Sequence, residues 1–219
     1  HFNHLITASS LVKLEGASAP ILYLDLNEEL EEVNELWPHL DNLNIPASSR
    51  TSLGTKNKSI LFGAVPPTIM RNSYCSFGAV ADRDSELATL LYYKYSTIFH
   101  AVLQKHLPQW EKINMKLWKD SCIHKDYQLG NSLWTSGIIN KNSPQKYHYD
   151  GMNVRNMLSA MITLKRNMSG GYLTFPEYDL AFEVKNRSLI FFSGSTLIHG
   201  VSPLSLHEKG TRYSIVYYT

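Results

Sequence analysis

Ser188-Leu-Ile-Phe-Phe-Ser-Gly-Ser-Thr-Leu-Ile-His199 is an apolar stretch of aromatic and branched residues broken by Ser193-Gly194, and Gly200-Val201-Ser202-Pro203 closes it. Two short strands with a turn between them fit this text better than a helix, because Gly and Ser interrupt it every few residues. The same texture fills the chain after Leu133. Apolar segments recur at Trp134–Ile139, Leu158–Leu164, Tyr172–Phe175, Leu180–Val184 and Arg212–Tyr218. Turn chemistry separates them: Asn140-Lys141-Asn142-Ser143-Pro144, Ser169-Gly170-Gly171, Asn186-Arg187 and Lys209-Gly210. Many short strands with regular turns predict a sandwich or jelly roll.

Upstream the period is helical. Asn27 to Trp37 reads as a short helix capped by Asn27 and stopped by Pro38. Asp84 to Leu107 reads as a longer one, with Asp84 as cap, Leu87, Leu90, Leu91, Ile98, Val102 and Leu103 on one stripe, and Pro108 as the stop. Pro46 to Ser59 reads as a mobile loop. The predicted architecture is α+β in a single domain over 1–219: a helical part at 1–130 packed on one side of a jelly roll, most of whose core lies at 131–219.

Composition bounds the function. The chain has 219 residues, 43% of them apolar, which suffices for a sizeable core. No apolar run approaches the ~18 residues of a membrane span, and no charged segment leads into an apolar signal. Two cysteines, Cys75 and Cys122, are too few for a disulfide framework or a thiolate zinc site. An intracellular, reducing compartment is therefore expected. The net charge of +2 hides an asymmetry: from Asn42 onward there are 20 Lys and Arg against 11 Asp and Glu. A basic body suits a polyanionic partner, and equally an ordinary solvated surface.

Two of the nine histidines have informative neighbours. His148-Tyr149-Asp150 is a His-x-Asp, and on a strand residues two apart share a face. His199, at the end of its strand, can supply a third ligand. Two histidines and one carboxylate form the facial triad of non-haem Fe(II) oxygenases. Zinc is the other metal that such a set can hold. Arg212 and Ser214 place a forked cation and a hydroxyl on one strand face, suited to a ligand carboxylate. 2-Oxoglutarate is such a ligand. Its oxo-acid end can chelate iron while its distal carboxylate meets Arg212, leaving one position for O₂.

These residues resemble the Fe(II)/2-oxoglutarate dioxygenases with their double-stranded β-helix. The last ~80 residues are similar to the TET/JBP family, which oxidises the 5-methyl group of pyrimidines in DNA. The matching text is Asn140-Lys-Asn, His148-Tyr-Asp150-Gly-Met-Asn153, Gly170-Gly171-Tyr-Leu-Thr-Phe-Pro176-Glu177, His199-Gly200-Val-Ser-Pro203 and Arg212-Tyr-Ser214-Ile-Val. The resemblance implies iron on His148, Asp150 and His199, and 2-oxoglutarate on Arg212 and Ser214, with Asn140 beside them. It implies that Asn153 reads the edge of a flipped base. Tyr149 or Tyr147 can stack on that base. Of the seven residues after Arg212 none is a histidine, so cytosine and thymine both stay open as targets. A hydroxylase of protein side chains or small molecules, and a non-catalytic module that binds modified DNA, are the rival readings.

Lys105, Lys112, Lys116, Lys119 and Lys125 alternate with Trp110, Trp118 and Tyr127. That mixture suits phosphates and stacked bases, although tryptophans at this spacing are more often core residues.

Overall fold

The computed structural model describes residues 2–26, 29–47, 58–65 and 76–219. Three strands come first: β1 (His4–Ile6), β2 (Ser10–Val12) and β3 (Ile21–Asp25). A 3-10 turn at Glu31–Glu35 leads into α1 (Leu36–Asn42), and β4 (Lys58–Val65) and β5 (Ser76–Phe77) follow. Next come α2 (Val80–Arg83), α3 (Ser85–Thr89), α4 (Ser96–His106) and α5 (Pro108–Asp120), with a π-helical segment at Leu90–Tyr95 joining α3 to α4. The remaining strands are β6 (Ser136–Lys141), β7 (Gln145–His148), β8 (Ser159–Gly170), β9 (Leu173–Phe175), β10 (Leu180–Phe182), β11 (Ser188–Phe192), β12 (His199–Val201) and β13 (Leu204–Tyr218). No described helix is long and apolar enough to cross a membrane.

The strands form two sheets. The larger runs β2-β3-β11-β8-β13-β6-β4-β5 and the smaller β1-β10-β9-β12-β7. Period-2 alternation divides the core between them. Along β8, Ala160, Ile162 and Leu164 join the cluster shared with the helices, whereas Met161 joins the one shared with the small sheet. Along β11, Leu189 and Phe191 face the helices, and Ile190 and Phe192 face inward. Strands buried on both faces read as unbroken apolar text, which is why alternation is invisible there in sequence. Tyr213, Ile215 and Tyr217 of β13 face the helices, so Arg212 and Ser214 face the interior between the sheets.

Tyrosine hydroxyls fasten the helical layer to its neighbours. Tyr213 donates to Leu40 O at 2.9 Å, Tyr217 to Leu91 O at 3.1 Å and Tyr95 to Glu35 Oε1 at 2.6 Å. The expected α+β jelly roll with helices on one side is what forms.

Several local expectations change. Residues 1–130 are not simply helical, because β1 to β5 come from them. Ile21-Leu-Tyr-Leu-Asp25 becomes a strand through pairing with Ser188–Phe191, a partner far away in sequence. Asn27 and Glu28 lie outside the described residues, and Pro38 sits within α1 instead of ending it. It falls in the first turn, where a missing N–H costs no helical hydrogen bond. The helix expected from Asp84 follows its predicted path, with Asp84 Oδ1 accepting from Leu87 N at 2.8 Å, but passes through a π-helical segment. Pro108 ends α4 and also opens α5, an unexpected helix whose Trp110 and Trp118 pack on the core. Of the expected Pro46–Ser59 loop, residues 48–57 lie outside the described residues, Arg50 and Lys56 among them, and Lys58 and Ser59 begin β4.

Candidate metal centre and cosubstrate pocket

His148 ends β7 and His199 begins β12, and the two are direct register partners in the antiparallel pair. Their rings lie 4.5 Å apart between centroids. Gly200 permits this approach: a Cβ there would stand 2.8 Å from Gln145 O and from Tyr147 Cδ1. Asp150 arrives by a different route from the expected one. It lies beyond the end of β7, so strand alternation does not aim it. Its N–H donates to Gly194 O at 2.9 Å, and a Cβ at Gly194 would overlap Asp150 Oδ2. The Ser193-Gly194 turn therefore seats the carboxylate.

The three side chains converge. Asp150 Oδ1 is 3.6 Å from His148 Nε2, and Oδ2 is 3.7 Å from His199 Nε2. One ligand atom from each lies within 4.8 Å of the others, and this is the one such group among the described residues. His148 Nδ1 donates to Lys146 O at 2.8 Å and His199 Nδ1 to Leu197 O at 2.9 Å. Those bonds leave both Nε2 lone pairs turned to the centre, the tautomer a metal needs. His199 is 5% exposed and packs edge-on against Phe192. Burial pushes its pKa down, more than Asp150 raises it, and this favours the neutral ligand form. His148 and Asp150 are only half-buried, so the centre opens to solvent on their side.

Arg212 is 0% exposed, and none of its three guanidinium nitrogens has a hydrogen-bond partner among the described residues. Burial lowers its pKa to about 10, which still leaves it charged at neutral pH. An uncompensated buried charge is costly, so this residue calls for an anion. Gly171, at φ +70°, gives it room: a Cβ there would stand 3.3 Å from Arg212 Cδ. Asn142 clamps its backbone, Oδ1 accepting from Arg212 N at 2.7 Å while Asn142 N donates to Arg212 O at 2.9 Å. Ser214 lies two residues on along the same face, with Asn140 opposite it on β6 and Thr163 opposite it on β8. Asn140 and Thr163 are both buried, and Thr163 Oγ1 has no partner among the described residues. A cation, two hydroxyls and an amide thus line one inner face, a donor set that fits a carboxylate. Thr163 was not anticipated. Its one signal is a hydroxyl inside the apolar strand Met161-Ile-Thr-Leu164.

Asn153 follows in the turn after Asp150, with its N–H donating to Asp150 O at 3.0 Å. Its Nδ2 is buried and unpartnered among the described residues. Tyr147, Tyr149 and Met152, the last 66% exposed, flank the metal-ligand pair. The segment from Asp150 to Leu158 is anchored on three sides. Val154 N donates to Thr219 O at 2.6 Å, Asn156 N to Ser195 Oγ at 3.1 Å and Leu158 N to Asn114 Oδ1 at 2.6 Å. Asn114, fully buried on α5, gave no sign of this role in the sequence. Lys105, Lys112, Lys119 and Lys125 are exposed, and Lys116 pairs with Asp120 at 2.9 Å.

Residues 92–219 match the Tet_JBP family model, described as the oxygenase domain of the 2OGFeDO superfamily. The chain belongs to this family. It is an Fe(II)/2-oxoglutarate dioxygenase of TET/JBP type, and iron and 2-oxoglutarate are the cofactors of that superfamily. Among solved structures, NgTET1 in complex with 5mC DNA is similar at TM-score 0.64 and 20% identity, over 90% of this chain and 71% of that one. A 2OG-Fe(II) oxygenase family oxidoreductase from Burkholderia pseudomallei is similar at TM-score 0.50 and 14% identity, over 90% and 84%. At these identities the likeness speaks for the fold. No curated protein matches.

Proposed function

We propose that this TET/JBP-type dioxygenase hydroxylates the 5-methyl group of a pyrimidine in DNA. The observation that carries the reading is Asn153, three residues after Asp150, whose amide nitrogen is buried and unpartnered among the described residues. A polar group left unpaired in a buried place costs stability unless a ligand satisfies it. An amide offers a donor and an acceptor to the edge of a base. The similarity to a TET protein crystallised with 5mC DNA supports the same substrate class.

In this reading His148, Asp150 and His199 hold the metal, and Arg212 takes the distal carboxylate of 2-oxoglutarate with help from Ser214 and Asn140. Bound iron and 2-oxoglutarate, with O₂, supply the oxidation. The rest is positioning. A methyl group inside a base stack is out of reach, so the target nucleotide must be extruded. Asn153 then orients the base and Tyr149 stacks on it. Phe175 and Phe192 beside His199 keep water from the inner side of the centre. The exposed lysines of α5 suit the phosphate backbone.

The test is anaerobic loading with Fe(II) and 2-oxoglutarate, then O₂ in the presence of oligonucleotides carrying 5-methylcytosine or thymine. Nucleoside mass spectrometry should show one added oxygen on one of the two bases. Succinate with unaltered bases would sink the substrate assignment and move the search to proteins or small molecules.

A further inference from the structure

Arg212 does not face the interior alone. Lys165 of β8 is its register partner across the β8–β13 pair. Directly opposite residues share a face, with Cβ atoms ~4.5–5.5 Å apart. The neighbours agree: Leu164 belongs to the helix-side core, and Arg166 lies over the Trp37 ring and pairs with Asp41, also on the helix side. Lys165 therefore points inward beside Arg212.

Two like charges directly opposite on a sheet repel, and here neither is neutralised by a bonded acid. Lys165 Nζ makes no hydrogen bond or ion pair among the described residues. Glu183 is the acid that acts on it from a distance, and Lys185, the next cation, is held by Asp25 at 3.0 Å. Burial and the neighbouring Arg212 both disfavour the charged form of Lys165. The fold thus sets two cations side by side with no acid bonded to either among the described residues.

We infer that Lys165 is a second cosubstrate-binding cation, sharing with Arg212 the distal carboxylate of a 2-oxo dicarboxylic acid. This rests on the reading of Arg212 as a cosubstrate residue and adds a residue outside the motif. Lys165 and Arg212 reach the carboxylate from adjacent strands, so two oxygens meet two cations. The pair selects for a dianionic oxo acid over a monoanionic one of equal length.

The experiment measures binding, not turnover. Fe(II)-loaded protein, kept anaerobic, is titrated calorimetrically with 2-oxoglutarate and with 2-oxopentanoate, which has the same carbon chain without the distal carboxylate. Lys165→Met should weaken 2-oxoglutarate about tenfold and leave 2-oxopentanoate within about twofold. Equal loss for both ligands, or no loss, overturns the inference. Wild-type protein that binds both ligands equally would instead remove the cosubstrate reading of Arg212 and this inference with it. Should Lys165→Met fail to fold, Glu183→Gln decides. Removing the competing acid should tighten 2-oxoglutarate several-fold and leave 2-oxopentanoate alone, and unchanged or weaker binding overturns the proposal.

Discussion

His148 and His199 face each other as register partners on β7 and β12, although fifty residues of chain separate them. Each ring is fixed by a hydrogen bond from Nδ1 to the backbone carbonyl two residues earlier. The candidate metal centre is thus a property of one strand pair, and the residue proposed as its third ligand is seated by one turn.

That turn gives the first prediction. Gly194→Ala places a methyl group where Asp150 Oδ2 lies. Iron affinity should fall ~10–100-fold, as for other changes that misorient a ligand, while the fold persists. Anaerobic metal titration with circular dichroism reads both. Unchanged affinity would mean that Asp150 is held by something other than this turn.

Arg212→Met should separate stability from function. It removes a buried charge that has no partner among the described residues, so the protein without added cosubstrate should gain about 1 kcal/mol or more, ~2–4 °C in Tm. Stabilisation by added 2-oxoglutarate should disappear at the same time. A lower Tm would show that the guanidinium has a compensating partner.

Asn153→Ala should lower kcat/KM for base oxidation ~10–100-fold, the worth of a two-point contact to a base edge. Uncoupled succinate formation should stay near wild type, because the change spares the metal ligands. Intact base oxidation would remove Asn153 from substrate recognition.

Asn114→Ala should cost ~1–3 kcal/mol in urea denaturation by stranding the buried Leu158 N–H. It should also slow base oxidation more than uncoupled turnover, because Leu158 closes the segment that carries Asn153. Equal slowing of both would make Asn114 a purely structural residue.

Much of the centre was legible beforehand. His-x-Asp, a distant His before Gly-x-Ser-Pro, and Arg-x-Ser on the last strand name the chemistry through residue type and spacing. The strands after Leu133 were legible because Gly, Asn, Ser and Pro punctuate them. The strands before it were not. Ile21–Asp25 is too short for periodicity to separate strand from helix, and only its pairing with β11 decides. Pro38 misled because a proline that looks like a stop also fits the first turn of a helix, whereas Pro108 does stop α4 and, by the same fit, opens α5. The lysine and tryptophan text of α5 divides as its spacing suggested: the tryptophans pack on the core and the lysines are exposed.

By itself, then, the sequence determined the class of fold and named the side chains proposed to carry the chemistry, because metal ligands, turn formers and strand residues are local choices. Tertiary structure decided which residues stand beside them. Thr163 across from Ser214, Lys165 across from Arg212, and Asn114 beneath Leu158 all depend on strand register or helix docking. Those contacts join residues far apart in the chain, and a one-residue slip in register would turn each inward side chain outward.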